Sequence, residues 1–267
     1  MKRTQWSAFA AALALLAGQA LATPALAGTA PPEGSLAGPA ILPPPLEVPE
    51  GPGTWSEDFD GYATGMQLHG VGGWKGWDNM PAFGALTSAV QARSVPNSVD
   101  ILGASDLVHE YFGYTSGIWT YIAHQYIPST SAGPSYFILL NTYNDGGPYN
   151  WSTQVCFNID TGLVIDDVAA DCATGTSLPL VYDQWVELRV VIDLDADTQT
   201  FYYGGVPLFT DTWTGHVSGG GIANIGAVDL FANAATSVFY DDMSLSNEIF
   251  ADGFESGDTN AWSSTVP

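Results

Sequence analysis

The sequence predicts an all-β domain, two antiparallel sheets packed as a sandwich over residues 54–247, and three observations carry that expectation. Val186, Leu188, Val190 and Ile192 alternate with Trp185, Glu187, Arg189 and Asp193, the period of a strand with one buried face. Further runs of β-branched and aromatic residues are separated by clusters of Gly, Asn, Asp and Pro. No segment after the N-terminal leader has the apolar period of an amphipathic helix.

The leader comes first along the chain. Lys2 and Arg3 precede a short apolar run at 8–17, and Ala25-Leu26-Ala27 follows it. This is the plan of an export signal over residues 1–27, cleaved before Gly28, with Ala20-Leu21-Ala22 as a second candidate site. A membrane span needs roughly 20 apolar residues, about twice this run. No later segment is long and apolar enough to span either. The expectation is a secreted protein, extracellular or periplasmic.

Residues 28–53 hold eight prolines and almost no apolar periodicity. Such a stretch cannot bury enough surface to offset its ordering entropy, so a disordered, extended Pro-rich linker is expected. Strand-like runs then follow at 118–127, 136–143, 151–159, 185–193, 226–232 and 237–246. Asn144-Asp145-Gly146-Gly147-Pro148, Asp160-Thr161-Gly162, Asp195-Ala196-Asp197 and Gly204-Gly205 supply turns between them. Roughly ten or more strands in a segment of this length point to two facing sheets around one core. Residues 248–267 read as an acidic C-terminal tail, too short to fold alone and too polar to anchor in a membrane.

Composition narrows the partners. Without the leader, Lys75, Arg93 and Arg189 stand against 28 carboxylates, a formal charge of −25. That field repels polyanions and makes nucleic acid or anionic membrane a poor partner, so no nucleic-acid partner is expected. Cys156 and Cys172, 16 positions apart, are expected to form one disulfide in an oxidising compartment.

Three segments together resemble a known architecture. The run 184–205, QWVELRVVIDLDADTQTFYYGG, resembles the hairpin of laminin-G-like and concanavalin-A-like jelly rolls. Val238-Phe239-Tyr240-Asp241-Asp242-Met243-Ser244-Leu245 is similar to the last strand of such extracellular domains, and Glu57-Asp58-Phe59-Asp60 to their first. The tail's Asp252-Gly253-Phe254-Glu255-Ser256-Gly257 resembles short acidic ends of other secreted bacterial proteins. The resemblance implies a concanavalin-A-like jelly roll, a superfamily of lectins, glycan-binding modules, glycoside hydrolases and polysaccharide lyases. Fold alone does not choose among these.

Two candidate sites follow. By alternation, Asp241 shares a face with Phe239, Met243 and Leu245, and Glu57 shares one with Phe59, so both carboxylates are expected to point towards a core. A buried carboxylate needs a partner, basic residues are scarce, and hard oxygen ligands favour Ca²⁺. In the resembling folds the first and last strands pair, which would bring Glu57, Asp60 and Asp241 together around a structural calcium. Asp193, Asp195 and Asp197 are spaced like the start of an EF-hand loop. Thr198 and Gly204, however, occupy the places of its glycine and closing glutamate, so these aspartates are read as turn formers.

The second candidate is a pair of aromatic loops. Trp74 and Trp77 flank Lys75 and Gly76 and lead into Asp78 and Asn79; Tyr143, Asn144, Asp145, Tyr149 and Trp151 interleave rings with amides and a carboxylate. Sugar recognition uses flat rings against the C–H face of a pyranose and planar polar groups for its hydroxyls. Trp74, Trp77, Asn79, Tyr143, Asn144, Asp145, Tyr149 and Trp151 are the expected ligand-binding residues. Glu-x-Asp-x-x-Glu, Gly-x-Ser-x-Gly, His-Glu-x-x-His and phosphate-loop patterns are absent. His124, Gln125, Tyr126 and Arg189 could be cast as a lyase centre, but the charge disfavours an anionic substrate. The sequence thus favours a non-catalytic, carbohydrate-binding protein for a neutral glycan or another extracellular ligand. A polysaccharide-active enzyme, hydrolase before lyase, is the alternative, and a structural or adhesive surface protein the third class.

Overall fold

A computed structural model describes residues 53–247; the expected signal peptide, the linker up to residue 52 and the tail from residue 248 lie outside the described residues. The chain opens with β1 (Trp55–Glu57), β2 (Trp74–Gly76), β3 (Leu86–Ser88), β4 (Ser98–Ile101) and β5 (Asp106–Glu110). The long strands β6 (Ile118–Tyr126), β7 (Pro134–Thr142) and β8 (Asn150–Asn158) follow, then β9 (Leu163–Asp166) and β10 (Ser177–Pro179). The last five are β11 (Trp185–Asp193), β12 (Thr198–Tyr203), β13 (Val206–Asp211), β14 (Ala227–Phe231) and β15 (Val238–Ser246). Two short 3₁₀ turns, Trp77–Asn79 and Pro81–Phe83, are the helical pieces among the described residues.

The strands form two antiparallel sheets. One runs β13-β12-β11-β6-β15-β4-β3 with β1 also paired to β15; the other runs β10-β9-β8-β7-β14-β5-β2. The all-β sandwich is therefore as expected. Val186, Leu188, Val190 and Ile192 of β11 are buried between the sheets, while Glu187, Arg189 and Asp193 stay partly exposed. Phe59, Trp74, Tyr121, Phe137, Phe157, Phe201, Trp213 and Tyr240 fill the same core. Each such side chain, taken fully out of water, stabilises by roughly 1.5–3 kcal/mol.

First and last strands do pair, Trp55 opposite Leu245 and Glu57 opposite Met243. One detail of β15 departs from simple alternation. Its register with β6 slips by one residue between Asp241 and Ser244, and Asp242 has a φ of 44°. The bulge lies where the partner on the other edge changes, from β4 at Val238–Tyr240 to β1 at Met243–Leu245. An extra residue inverts the side-chain faces beyond it. Val238 and Tyr240 before the bulge, and Met243 and Leu245 after it, thus all point into the core. Of the three residues expected beside it, Asp241 shares its face with Phe239 alone.

The seven-stranded sheet is covered on its outer side as well. Val108, Tyr136, Ile138, Leu140, Tyr143, Cys156, Ile165, Cys172 and Ala227 form a second apolar cluster there. β7 is consequently buried at every position from Ser135 to Asn141, the continuous apolar pattern of a strand covered on both faces. The Cys156–Cys172 disulfide is formed and ties a covering loop to β8. Asp167 holds the same loop by accepting from the Asp171 and Cys172 amides at 3.0 Å each. Among the described residues no helix is long and apolar enough to cross a membrane.

Candidate functional site

On that outer face the loops after β2 and β7 converge. In β2 the alternation sends Trp74 and Gly76 inward and Lys75 outward, and the 3₁₀ turn then brings Trp77 onto the outer cluster. Gly76 has no substitute here, because a Cβ on it would lie 2.1 Å from the Met80 carbonyl oxygen. Trp77 meets Tyr143 edge to face at 5.0 Å and Tyr149 at 4.8 Å between ring centroids. It runs nearly parallel to Trp151, at 17° and 6.1 Å. Trp77, Tyr149 and Trp151 each keep part of their surface in solvent.

Polar groups frame these rings and fix them. The Asp78 amide donates to the Tyr143 hydroxyl at 2.9 Å, and that hydroxyl donates to Asp145 at 3.3 Å. Asp78 in turn accepts from the Gly146 amide at 2.9 Å and from the Tyr149 hydroxyl. Lys75 pairs with Glu110 and Asp145, and its ammonium lies 5.1 Å from the centre of the Tyr143 ring. Burial works against the lysine's charge, but the two carboxylates outweigh it and raise its pKa. Burial, reinforced by Asp78, pushes the Tyr149 phenol up to about 12. At neutral pH it stays a hydrogen-bond donor.

Six of the eight expected ligand residues therefore surround one surface: Trp77, Tyr143, Asn144, Asp145, Tyr149 and Trp151. Asn79 is exposed at the end of the 3₁₀ turn beside them. Tyr143 is 7% exposed and acts from beneath, positioning the loop. Trp74 is a correction. It is 1% exposed between the sheets, packs on Phe59 and His109, and donates its indole N–H to Glu57 at 3.2 Å. The alternation of β2 separates two tryptophans that adjacency in sequence had grouped.

The carboxylates expected to hold calcium carry protein donors instead. Glu57 accepts from the Phe59 amide and the Tyr62 hydroxyl, both at 2.8 Å, as well as from Trp74. Asp60 accepts from the Asn97 amide at 3.1 Å. Asp241, with no exposed surface, accepts from the Arg93 amide at 2.7 Å, the Ser94 amide at 3.1 Å and the Asp242 amide at 2.8 Å. Among the described residues no three His, Cys, Asp or Glu side chains are grouped to hold a metal ion. Strand pairing brings β1 to β15 as anticipated, but the bulge turns Asp241 to the outer side of its sheet, away from the core that holds Phe59. These residues do not fit a shared calcium cage.

Other groups fall where the sequence left them. Asp193 accepts from the Asp195 and Ala196 amides, as a turn former does. Gln125 faces the core and donates to the Tyr240 hydroxyl, whereas His124, its strand neighbour, lies on the opposite face against the Asp242 carbonyl. They form no joint centre. Sequence reasoning missed a carboxyl pair on the outer face of the seven-stranded sheet, Asp106 on β5 and Asp229 on β14. Both lie in strand alternation with outward neighbours, which was the available signal.

No family model and no curated protein matches the chain. Solved structures do. A sialidase matches with a TM-score of 0.50 at 7% identity, over 74% of this chain and 19% of that one, so the chain spans about a fifth of its length. An endo-β-1,4-glucuronan lyase from the fungus Trichoderma reesei matches at 0.44 and 10% identity, over 72% of this chain and 94% of the lyase. A galectin from Caenorhabditis elegans matches at 0.37 and 9% identity, over 55% of this chain and 95% of the galectin. At these identities the likeness is one of fold alone, a two-sheet β-sandwich.

Proposed function

We propose that this is an exported, lectin-like protein that binds a neutral glycan on the surface formed by Trp77, Tyr149 and Trp151. The observation that carries the reading is the near-parallel pair of half-buried indoles, held rigid from below and edged by Asp78, Asp145, Asn144 and Asn79. Rings so placed offer apolar faces to a pyranose, and the edge groups accept and donate to its hydroxyls. Neutral sugars suit it because Lys75, the cation on this face, is engaged by two carboxylates. The disulfide suits an oxidising compartment outside the cytoplasm.

Calorimetric titration of the protein with neutral oligosaccharides tests this. Trp77→Ala and Trp151→Ala each weaken binding by about tenfold or more, equivalent to about 1.4 kcal/mol, with the fold retained. Binding unchanged in both variants would dismiss the surface.

A further inference from the structure

The segment 212–226 joins β13, at the edge of the eight-stranded sheet, to β14 in the seven-stranded one, and it passes beside Trp151 on the way. Both of its ends are pinned. Thr214 donates to Asp197 through its amide at 2.9 Å and its hydroxyl at 2.8 Å. Asn141 accepts from the Ile222 amide at 3.3 Å and from the Asn224 side chain at 2.8 Å. Between those pins runs Gly215-His216-Val217-Ser218-Gly219-Gly220-Gly221, a backbone with little stiffness of its own. Two side chains anchor it.

Ser218 holds Trp151. The Trp151 amide donates to the Ser218 hydroxyl at 3.0 Å, and its carbonyl accepts from the Ser218 amide at 3.2 Å. The Asn150 side chain donates to the Gly219 carbonyl at 3.0 Å. β9 pairs with β8 farther along, at Val155–Asn158, so the loop is the neighbour of β8 at the ring itself. Two residues earlier, His216 anchors the loop to both sheets. Its side chain is 6% exposed and lies flat on Phe209, at 4.4 Å and 19°. Nε2 is 2.8 Å from Asp166 Oδ1 of β9, and Nδ1 is 3.2 Å from Asp211 Oδ2 of β13.

A neutral imidazole has one N–H, so one of these carboxylates would face its lone pair; the imidazolium alone donates to both. Lys75, Arg93 and Arg189 are engaged elsewhere, with Glu110 and Asp145, with Asp242, and over the Tyr202 ring. Among the described residues, the charged groups around the imidazole are therefore Asp166 and Asp211, with Asp197 next along the loop at Thr214. Burial works against a charge on His216, but Asp166 and then Asp211 outweigh it and raise its pKa above the usual 6.5. A raised histidine keeps its folded-state contribution below that ordinary value and loses it as pH rises through the folded one. The anchor is complete in mild acid and weakens above neutrality.

We propose that His216 is a positioning residue of the ring surface: charged, it latches the glycine-rich loop between the sheets and holds Ser218 against Trp151, and on losing its proton it frees Trp151 and weakens glycan binding. The inference rests on the reading of that surface given above.

NMR of the labelled protein between about pH 6 and 8.5 tests it, with His216→Gln and Asp211→Asn as variants. The His216 imidazole titrates above its ordinary value, and the Trp151 and Ser218 amides move with the same midpoint. Asp211 is half exposed, so Asp211→Asn keeps the fold; it moves the midpoint to lower pH, which a merely structural contact would not do. In His216→Gln the Trp151 signals lose this titration. A neutral oligosaccharide binds the protein about fivefold more weakly at the upper pH than at the lower, and by reciprocity its saturation moves the His216 midpoint upward. Asp106 and Asp241, raised to about 6, titrate in the variant as well, so the difference lost in His216→Gln belongs to the histidine. Trp151 signals that ignore the His216 midpoint, or a pH dependence of binding unchanged in His216→Gln, overturn the latch. No binding by any neutral glycan, with the two titrations still coupled, overturns the ring surface and leaves the latch standing.

Discussion

Two tryptophans three positions apart illustrate how a single alternation step decides a residue's role. Trp74 is core and Trp77 is surface, so their alanine variants separate. Trp74→Ala destabilises the fold by about 3–5 kcal/mol, the range for removing a buried aromatic ring, read as a lower denaturant midpoint. Trp77→Ala, which removes a half-buried ring, lowers the midpoint less than Trp74→Ala and weakens ligand binding. The carboxyl groups make the second residue-scale prediction. Burial, with Asp78 reinforcing it, raises Asp106 to about 6, and burial with Asp106 pushes Asp229 well above the usual range. A carboxyl raised in the folded state contributes stability that is complete below its ordinary value and is lost as pH rises through the folded one. Burial raises Asp241 to about 6 too, against the opposing pull of the amides that donate to it. The stability these carboxyls contribute, measured by chemical denaturation, therefore falls as pH rises from about 4 through about 6. Asp229→Asn makes that fall shallower, and an unaltered slope would show that burial does not raise Asp229. Alternation could have placed each on an outward face, but their meeting was not legible in the sequence, because Asp106 and Asp229 lie 123 positions apart and come together only through strand pairing.

At the scale of the element, period-two reading succeeds wherever a strand is regular and has one wet face. β11 follows it at each of its nine positions. It fails in two places for two reasons. β7 is covered on both faces, so its apolar residues run without alternation and the outer cluster beneath the rings stays hidden. β15 contains a bulge, and one inserted residue was enough to send Asp241 to the wrong face in the sequence-based expectation. The calcium proposal depended on that face. With Glu57, Asp60 and Asp241 all accepting from protein donors, a chelator leaves the melting temperature unchanged; a drop restored by Ca²⁺ would reinstate the ion. The disulfide, by contrast, was readable from spacing and compartment. Closing a loop of 16 positions stabilises by about 3 kcal/mol on the chain-entropy account. Cys156→Ala with Cys172→Ala lowers stability by that order, and the loss of the loop also loosens Tyr136, Ile138 and Ile165 beneath it. An unchanged denaturation midpoint would show that the loop contributes nothing.

At the scale of the molecule, the sandwich sorts its two sheets into different tasks. The eight-stranded sheet pairs the first and last described strands, β1 and β15, and leaves its outer face largely polar along β11. The seven-stranded sheet carries the second apolar cluster, the aromatic surface and the carboxyl pair. The aromatic loops were recognisable in the sequence from composition, but their convergence was not, since it depends on β2 and β7 being brought to the same face by β5 and β14. The acidic balance, formally −23 over the whole chain, applies to this face too, where a single engaged lysine leaves nothing for an anionic sugar. The central claim is that the outer face of this sheet, and not the sandwich interior, meets a neutral glycan. Indole N–H resonances of the labelled protein, followed by NMR through a titration with a neutral oligosaccharide, test it most directly. The signals of Trp77 and Trp151 move with saturation while those of Trp74 and Trp213 stay fixed; movement confined to other tryptophans, or none at all, would contradict the account.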